Sequence, residues 1–216
     1  MNIPRAQLLI VALALAAAVA GFVVARGMLP APPASAQPEL HSATLLNTPR
    51  PLPDFSLLDQ HGEVIGPEVF TGDWKLVFFG FTNCPDICPM TLHTLTAVRA
   101  KLASQGRQQP GVVFVSVDPE RDAPSQLADY LAYFDTSIVG ITGDEEGIAR
   151  FARDMGVAVF MGAEDDHGHY NVDHSTAVFL VDPAGRLSAL FRMPHEVDVM
   201  ADEFTRIVET RVEARG

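Results

Sequence analysis

Apolar and polar positions give the chain three textures. From Leu8 to Ala25 no charged or polar side chain occurs, with Arg5 before the run and Arg26 after it. From residue 27 to 53, Pro30, Pro32, Pro33, Pro38, Pro49, Pro51 and Pro53 lie among alanine and serine. From Asp54 onward apolar residues recur at the periods of strands and helices. Phe55 to Ile65 holds two short apolar segments about a His61-Gly62 turn, the pattern of a hairpin. Leu76 to Phe81 is a continuous apolar run, as in a strand buried on both faces, and Leu92, Leu95, Val98 and Leu102 then repeat at helical spacing. Val112 to Val117 predicts a second buried strand, Leu127 to Phe134 a helix and Ile138 to Ile141 a short strand. Ile148, Phe151, Ala152 and Met155 mark a helix that Gly156 should stop. Thr176 to Val181 and Leu187 to Phe191 flank Asp182-Pro183-Ala184-Gly185 as an antiparallel pair, and Val197, Met200, Phe204, Ile207 and Val208 stripe a closing helix.

That order predicts an α/β, thioredoxin-like fold with an N-terminal hairpin extension, preceded by one transmembrane helix. The alternation implies parallel strands with helices on both faces. The expected organisation is a tail at 1–7, a membrane anchor at 8–26, a Pro/Ala-rich linker at 27–50 and one domain at 51–216. The apolar run is long enough to cross a bilayer, and the free N-terminal amine tips it toward an N-in arrangement. The alternative is a signal peptide cleaved near Ala34-Ser35-Ala36. Either way the domain is exported to the periplasmic side of the cytoplasmic membrane, where dithiols can be oxidised. The proline-rich stretch reads as an extended, semi-rigid spacer.

Composition narrows the partners. The chain has 216 residues, 48% hydrophobic and 19% charged, enough for one core without staples. Its net charge of -12 rules against nucleic acid as a partner.

The only two cysteines, Cys84 and Cys88, lie in Phe81-Thr82-Asn83-Cys84-Pro85-Asp86-Ile87-Cys88-Pro89-Met90, where the first buried strand gives way to a helix. Open α/β sheets place their chemistry at such strand ends. Each thiol precedes a proline, which predicts non-helical backbone at both, with Cys88 at the helix N-cap and Pro89 as the first helical residue. A helix N-terminus favours thiolate over thiol. The spacing lets the sulfurs meet as a disulfide or around one ion. A structural disulfide closing so short a loop removes little chain entropy, which leaves metal binding and thiol redox chemistry as the functional readings. Two cysteines fall short of a closed four-ligand zinc site unless other residues join.

Three stretches in order carry a family resemblance: Gly72-Asp73-Trp74-Lys75-Leu76-Val77-Phe78-Phe79-Gly80-Phe81-Thr82-Asn83-Cys84-Pro85-Asp86-Ile87-Cys88-Pro89, then Ser116-Val117-Asp118-Pro119-Glu120-Arg121-Asp122, then Val172-Asp173-His174-Ser175. They are similar to the Sco (SenC) family of copper proteins, over roughly residues 50 to 210. The resemblance implies a membrane-anchored, thioredoxin-fold metallochaperone that binds Cu(I) and Cu(II) and serves the copper-site subunit of cytochrome c oxidase. Other periplasmic copper chaperones or thioredoxin-like reductants would be further partners. It also implies the ligands: Cys84 and Cys88 as thiolates and His174 as imidazole. The alternative function is an exported thiol-disulfide oxidoreductase, with Cys84 and Cys88 as the reacting pair and no copper transfer. Two soft thiolates suit Cu(I), and an added imidazole lets the same set hold Cu(II). Of seven histidines, His174 stands just before a strand, whereas His167 and His169 read as solvated residues of an acidic loop or as auxiliary ligands, and His41, His61, His93 and His195 as surface residues. Asp118 reads as a turn residue or a neighbour of the copper site, and Asp86 as a cation recruiter or a solvated side chain.

Overall fold

The computed structural model describes residues 7, 13–22, 39–163 and 170–213. The chain divides into two units, Met1–Gln37 and Pro38–Gly216. In the first, residues 13–22 are helical. Among the described residues no helix is long and apolar enough to cross a membrane, and the remainder of the predicted 8–26 span lies outside the described residues.

The second unit is built on an eight-stranded sheet. Its strands are β1 (Ala43–Pro51), β2 (Leu57–Asp59), β3 (Val64–Ile65), β4 (Lys75–Gly80), β5 (Gly111–Ser116), β6 (Val139–Thr142), β9 (Val178–Asp182) and β10 (Arg186–Phe191), in the order β1-β10-β9-β4-β5-β6-β2-β3. β7 (Val159–Met161) and β8 (Val172–His174) form a separate antiparallel pair. Only β4/β5 and β5/β6 are parallel. The sheet is therefore mixed, because hairpin connections flank the parallel centre on both sides. The helices are α1 (Ile87–Ser104), α2 (Pro124–Ala132), α3 (Glu145–Met155) and α4 (Val197–Glu213).

The core is layered by strand alternation. Consecutive residues of a strand face opposite sides of the sheet, so Phe78 and Phe79 of β4 serve two layers. Phe78 meets its neighbour Phe114 on β5, which in turn packs on Tyr130 of α2; Phe79 meets Phe151 of α3 and Phe179 of β9. All four of these phenylalanines of β4, β5 and α3 are fully buried. α3 begins at Asp144, whose carboxylate accepts from the Gly147 N–H at 2.8 Å, and ends at Gly156 with φ of 82°, the left-handed conformation the sequence anticipates there.

The spacer expectation needs correcting. Residues 43–51 of the stretch assigned to a linker are an edge strand of the main sheet, paired with β10 through an irregularity between Leu45 and Arg50. An edge strand tolerates Pro49 and Pro51, since it has only one partner to hydrogen-bond. The segment before it is fixed by Glu203 of α4, which is 2% exposed. Its carboxylate accepts from the Ser42 hydroxyl at 2.6 Å, from the Ala43 N–H at 2.9 Å, and from the His41 and Ser42 N–H groups. Those hydrogen bonds outweigh desolvation and hold the Glu203 carboxyl below its ordinary value. Glu203→Ala leaves three backbone donors without this acceptor, so urea unfolding should show a loss of roughly 2–3 kcal/mol.

Candidate metal centre

The site stands where β4 ends. Gly80 closes the strand because nothing larger fits: a Cβ there would lie 2.8 Å from the Phe114 ring and 2.9 Å from the Cys88 sulfur. The loop after Phe81 delivers Cys84, and α1 begins at Ile87. Cys88 is thus inside the first turn and not at the N-cap, which is Asp86. Pro89 is accommodated because the first-turn N–H groups of a helix have no intrahelical partner to lose. The exposed Asp86 side chain makes no capping bond. The sulfur of Cys84 takes that part, accepting from the Cys88 N–H at 3.4 Å.

Both cysteines are free thiols, Cys84 partly exposed and Cys88 fully buried. Burial pushes the Cys88 thiol well up, and the Cys84 side chain and the Asp122 charge add to it against a backbone hydrogen bond from Phe81. This overturns the expectation of a helix-activated thiolate at Cys88: desolvation outweighs the helix terminus.

His174 ends β8, where it is paired with Val159 of β7. Three residues separate it from β9, so the short β7/β8 ribbon, and not the main sheet, holds it. Its Nε2 lies 3.7 Å from the Cys88 sulfur. Its Nδ1 is 2.9 Å from the Ser175 carbonyl oxygen. A carbonyl only accepts, so Nδ1 carries the hydrogen and Nε2 keeps its lone pair toward the sulfur. Burial lowers the imidazole pKa, which keeps the ring neutral and ligand-ready. Phe78 and Phe81 set their rings at 6.1 and 5.9 Å from it, edge to face.

Cys88 and His174, 86 positions apart in sequence, are thereby brought together. Among the described residues no three His, Cys, Asp or Glu side chains are gathered at coordinating distance. The Cys88–His174 pair comes near it: a sulfur about 2.3 Å and an imidazole nitrogen about 2.0 Å from one ion at a tetrahedral angle lie roughly 3.5 Å apart. Cys84 sits one helical turn away, with its sulfur turned to the Cys88 amide.

Two buried carboxylates support the loop. Asp122, which the sequence reading quoted only as part of a motif, is fully buried. It accepts from the Thr82 N–H at 3.0 Å, the Thr82 hydroxyl at 2.5 Å and the Ser116 hydroxyl at 2.6 Å. Asp118, also fully buried, accepts from the Tyr170 hydroxyl at 2.7 Å and from the Arg121 Nε. The Arg121 guanidinium lies 3.8 Å over the Tyr170 ring and 5.8 Å over Phe81, which itself faces His174. Asp118 is therefore an anchor behind the centre. The signal for both was present as Asp118-Pro119-Glu120-Arg121-Asp122, acids spaced by one helical turn just after a strand.

His167 and His169 lie outside the described residues. His41, His61 and His93 are exposed as expected. His195 is not: both ring nitrogens are out of solvent, and burial lowers its pKa.

The family model described as SCO1/SenC matches residues 45–209. The chain belongs to the SCO1/SenC family. It is 36% identical over 165 residues to a Stutzerimonas stutzeri protein named for copper binding, covering 76% of this chain and 80% of that one. Of the mitochondrial SCO homologues it spans less, from 44% to 60% of their length. The crystal structure of Arabidopsis thaliana ScoI with copper bound superposes with a TM-score of 0.69 at 34% identity, covering 73% of this chain and 97% of that one. BsSco, described as carrying a disulfide switch and as a member of the Sco family of cytochrome c oxidase assembly proteins, gives 0.59 at 25% identity, covering 76% and 97%.

Burial raises the Asp122 pKa above its ordinary value, against the hydrogen bonds from Ser116 and Thr82. A carboxyl raised in the folded state stabilises the fold most below the ordinary carboxylate pKa, and that contribution is lost as pH rises through the raised value. Urea unfolding across mildly acidic pH should show this downward slope in the wild type and a flatter profile in Asp122→Asn.

Proposed function

We propose that this SCO1/SenC protein takes up copper as cargo through Cys84, Cys88 and His174 and delivers it to the copper-site subunit of cytochrome c oxidase. The observation that carries the proposal is the 3.7 Å approach of the His174 Nε2 to the Cys88 sulfur, with the lone pair directed by the Ser175 carbonyl. The donor set fits the ion: soft sulfurs suit Cu(I), and the neutral imidazole extends the set to Cu(II). Two thiolates and a neutral imidazole leave net charge -1 around Cu(I) and zero around Cu(II), either of which a partly buried site can carry.

The chain's own residues manage the protons and the access. Cys88 is held as a thiol by its burial, so an arriving ion displaces the Cys88 and Cys84 protons to solvent. Cys84, partly exposed at the loop, is the donor a partner's ligand can reach first. Its sulfur leaves the Cys88 amide to join the ion. Phe78 and Phe81 wall the imidazole on its apolar sides.

A second reading has its own support, the two free thiols one turn apart. In it, the Cys84 and Cys88 thiols give two electrons and two protons to a partner's disulfide, forming their own disulfide and leaving the partner as two thiols. This form cannot hold copper, since both sulfur donors are consumed. The two readings share the cysteines, and only copper carriage needs His174. The apolar run at 8–25 supports membrane anchorage, with the domain on the periplasmic side.

His174→Ala should abolish stable Cu(II) binding, read as loss of the sulfur-to-copper charge-transfer band, while chemical oxidation and reduction of the dithiol continue. Normal oxidase assembly in cells carrying that variant would decide for the redox reading.

A further inference from the structure

His174 is carried by a ribbon too small to stand by itself. β7 and β8 contribute three residues each, and a two-stranded ribbon of that size is marginal in water unless it packs on the rest of a fold. Its backbone is closed at one end by the Gly162 N–H on the Asn171 carbonyl at 2.7 Å, and at the other by the Ser175 N–H on the Ala158 carbonyl at 3.1 Å. Val172 gives it a buried apolar anchor. Tyr170, just before β8, gives it a polar one. The Tyr170 hydroxyl donates to the buried Asp118 carboxylate at 2.7 Å, and the Tyr170 carbonyl accepts from the Arg121 Nη1 at 3.2 Å. Asp118 also accepts from the Arg121 Nε, so cation, carboxylate and phenol form a closed set. The guanidinium lies 3.8 Å over the Tyr170 ring on the ribbon side and 5.8 Å over the Phe81 ring on the cysteine-loop side. Phe81 in turn stands 5.9 Å from the His174 ring. The segment with the imidazole and the segment with the thiols are therefore joined through one guanidinium, and Tyr170 is the residue by which the ribbon holds to it.

We propose that Tyr170 is a positioning residue for His174, whose bond to Asp118 and stacking on Arg121 keep the ribbon docked and the His174 Nε2 beside the Cys88 sulfur. A hydrogen bond to a charged acceptor out of solvent is among the stronger contacts a side chain makes, and a cation on an aromatic face adds to it. Both act on the ribbon from outside, four residues before the imidazole, so they fix where His174 stands without touching an ion. Its bearing on copper rests on the reading of His174 as a ligand.

The test compares wild type with Tyr170→Phe, which keeps the ring on Arg121, and Tyr170→Leu, which removes ring and hydroxyl together. In the metal-free protein, amide hydrogen exchange at Gly162 and Ser175 should quicken about tenfold or more in Tyr170→Phe, the factor a lost bond to a charged acceptor supports, and further in Tyr170→Leu. The Gly111 N–H, bonded to the Trp74 carbonyl in the main sheet, should exchange at the wild-type rate. Loaded with Cu(II), Tyr170→Phe should hold the ion about tenfold more weakly and show a smaller imidazole nitrogen coupling in its EPR spectrum. Wild-type exchange at Gly162 and Ser175 in both variants overturns the inference, and so does equal acceleration at Gly111, which marks general loosening. Local acceleration with unchanged Cu(II) affinity and nitrogen coupling overturns the positioning role and leaves copper carriage standing. Local acceleration in a protein whose wild type takes up no Cu(II) supports the placing of His174 by Tyr170 and removes copper carriage.

Discussion

A carboxylate out of reach of water holds the centre of this protein together. Asp122 pins Thr82, two residues before Cys84, to Ser116 at the end of the next strand, and its own carbonyl accepts from the Thr142 hydroxyl on the strand after that. The ends of the three parallel strands β4, β5 and β6 are thus tied by one residue. Without it the cysteine loop would rest on the Cys84 N–H bond to the Phe81 carbonyl, the Cys88 N–H contact with the Cys84 sulfur, the Gln126 amide on Thr82 and the Phe81 packing. Burying an acid is costly unless its lone pairs are filled, and here three donors fill them. The carboxylate also opposes ionisation of Cys88, so the device that positions the thiol discourages it from becoming a free thiolate.

On the proposed copper reading, that opposition is met by the charge an incoming ion would bring to the sulfur. A nucleophilic cysteine needs a standing thiolate, which helix N-termini and nearby cations provide. Cys88 has burial, a neighbouring sulfur and a carboxylate, which all act the other way. His174 is prepared differently, with its donor lone pair unprotonated and aimed by a backbone carbonyl. On the proposed copper reading, the imidazole would be ready for an ion and the Cys88 sulfur would become ready only as the ion arrives.

Much of this was legible in the sequence because local periodicity and tertiary role agree. The apolar run at Leu76 to Phe81, the Ile148 to Met155 stripe and the turn at Asp182 to Gly185 each became the element their spacing predicts. What escaped depends on partners distant in sequence. Ala43–Pro51 carries two prolines and little alternation, so only β10 and Glu203 reveal it as a strand. The β7/β8 ribbon that carries His174 is three residues on each side, too short for a period to register. The helix start at Ile87 was displaced because proline rules constrain backbone preference, and a sulfur able to cap the first turn is not part of those rules. Asp118 reads from sequence as a turn residue or a neighbour of the copper site, and Asp122 only as part of a motif; only the fold shows them buried.

The Glu203 cluster has a mechanical meaning for the end at which the chain enters the domain. A pull along the chain from residue 39 reaches the bonds between Glu203 and residues 41–43 before it reaches the β1/β10 ladder. Those short bonds, backed by Arg206 on the Glu39 carbonyl, load together and not in sequence, and they transfer the force to α4. The edge strand is spared from being peeled away bond by bond, and the cysteine loop, several strands distant in the sheet, is mechanically isolated from a load applied at residue 39.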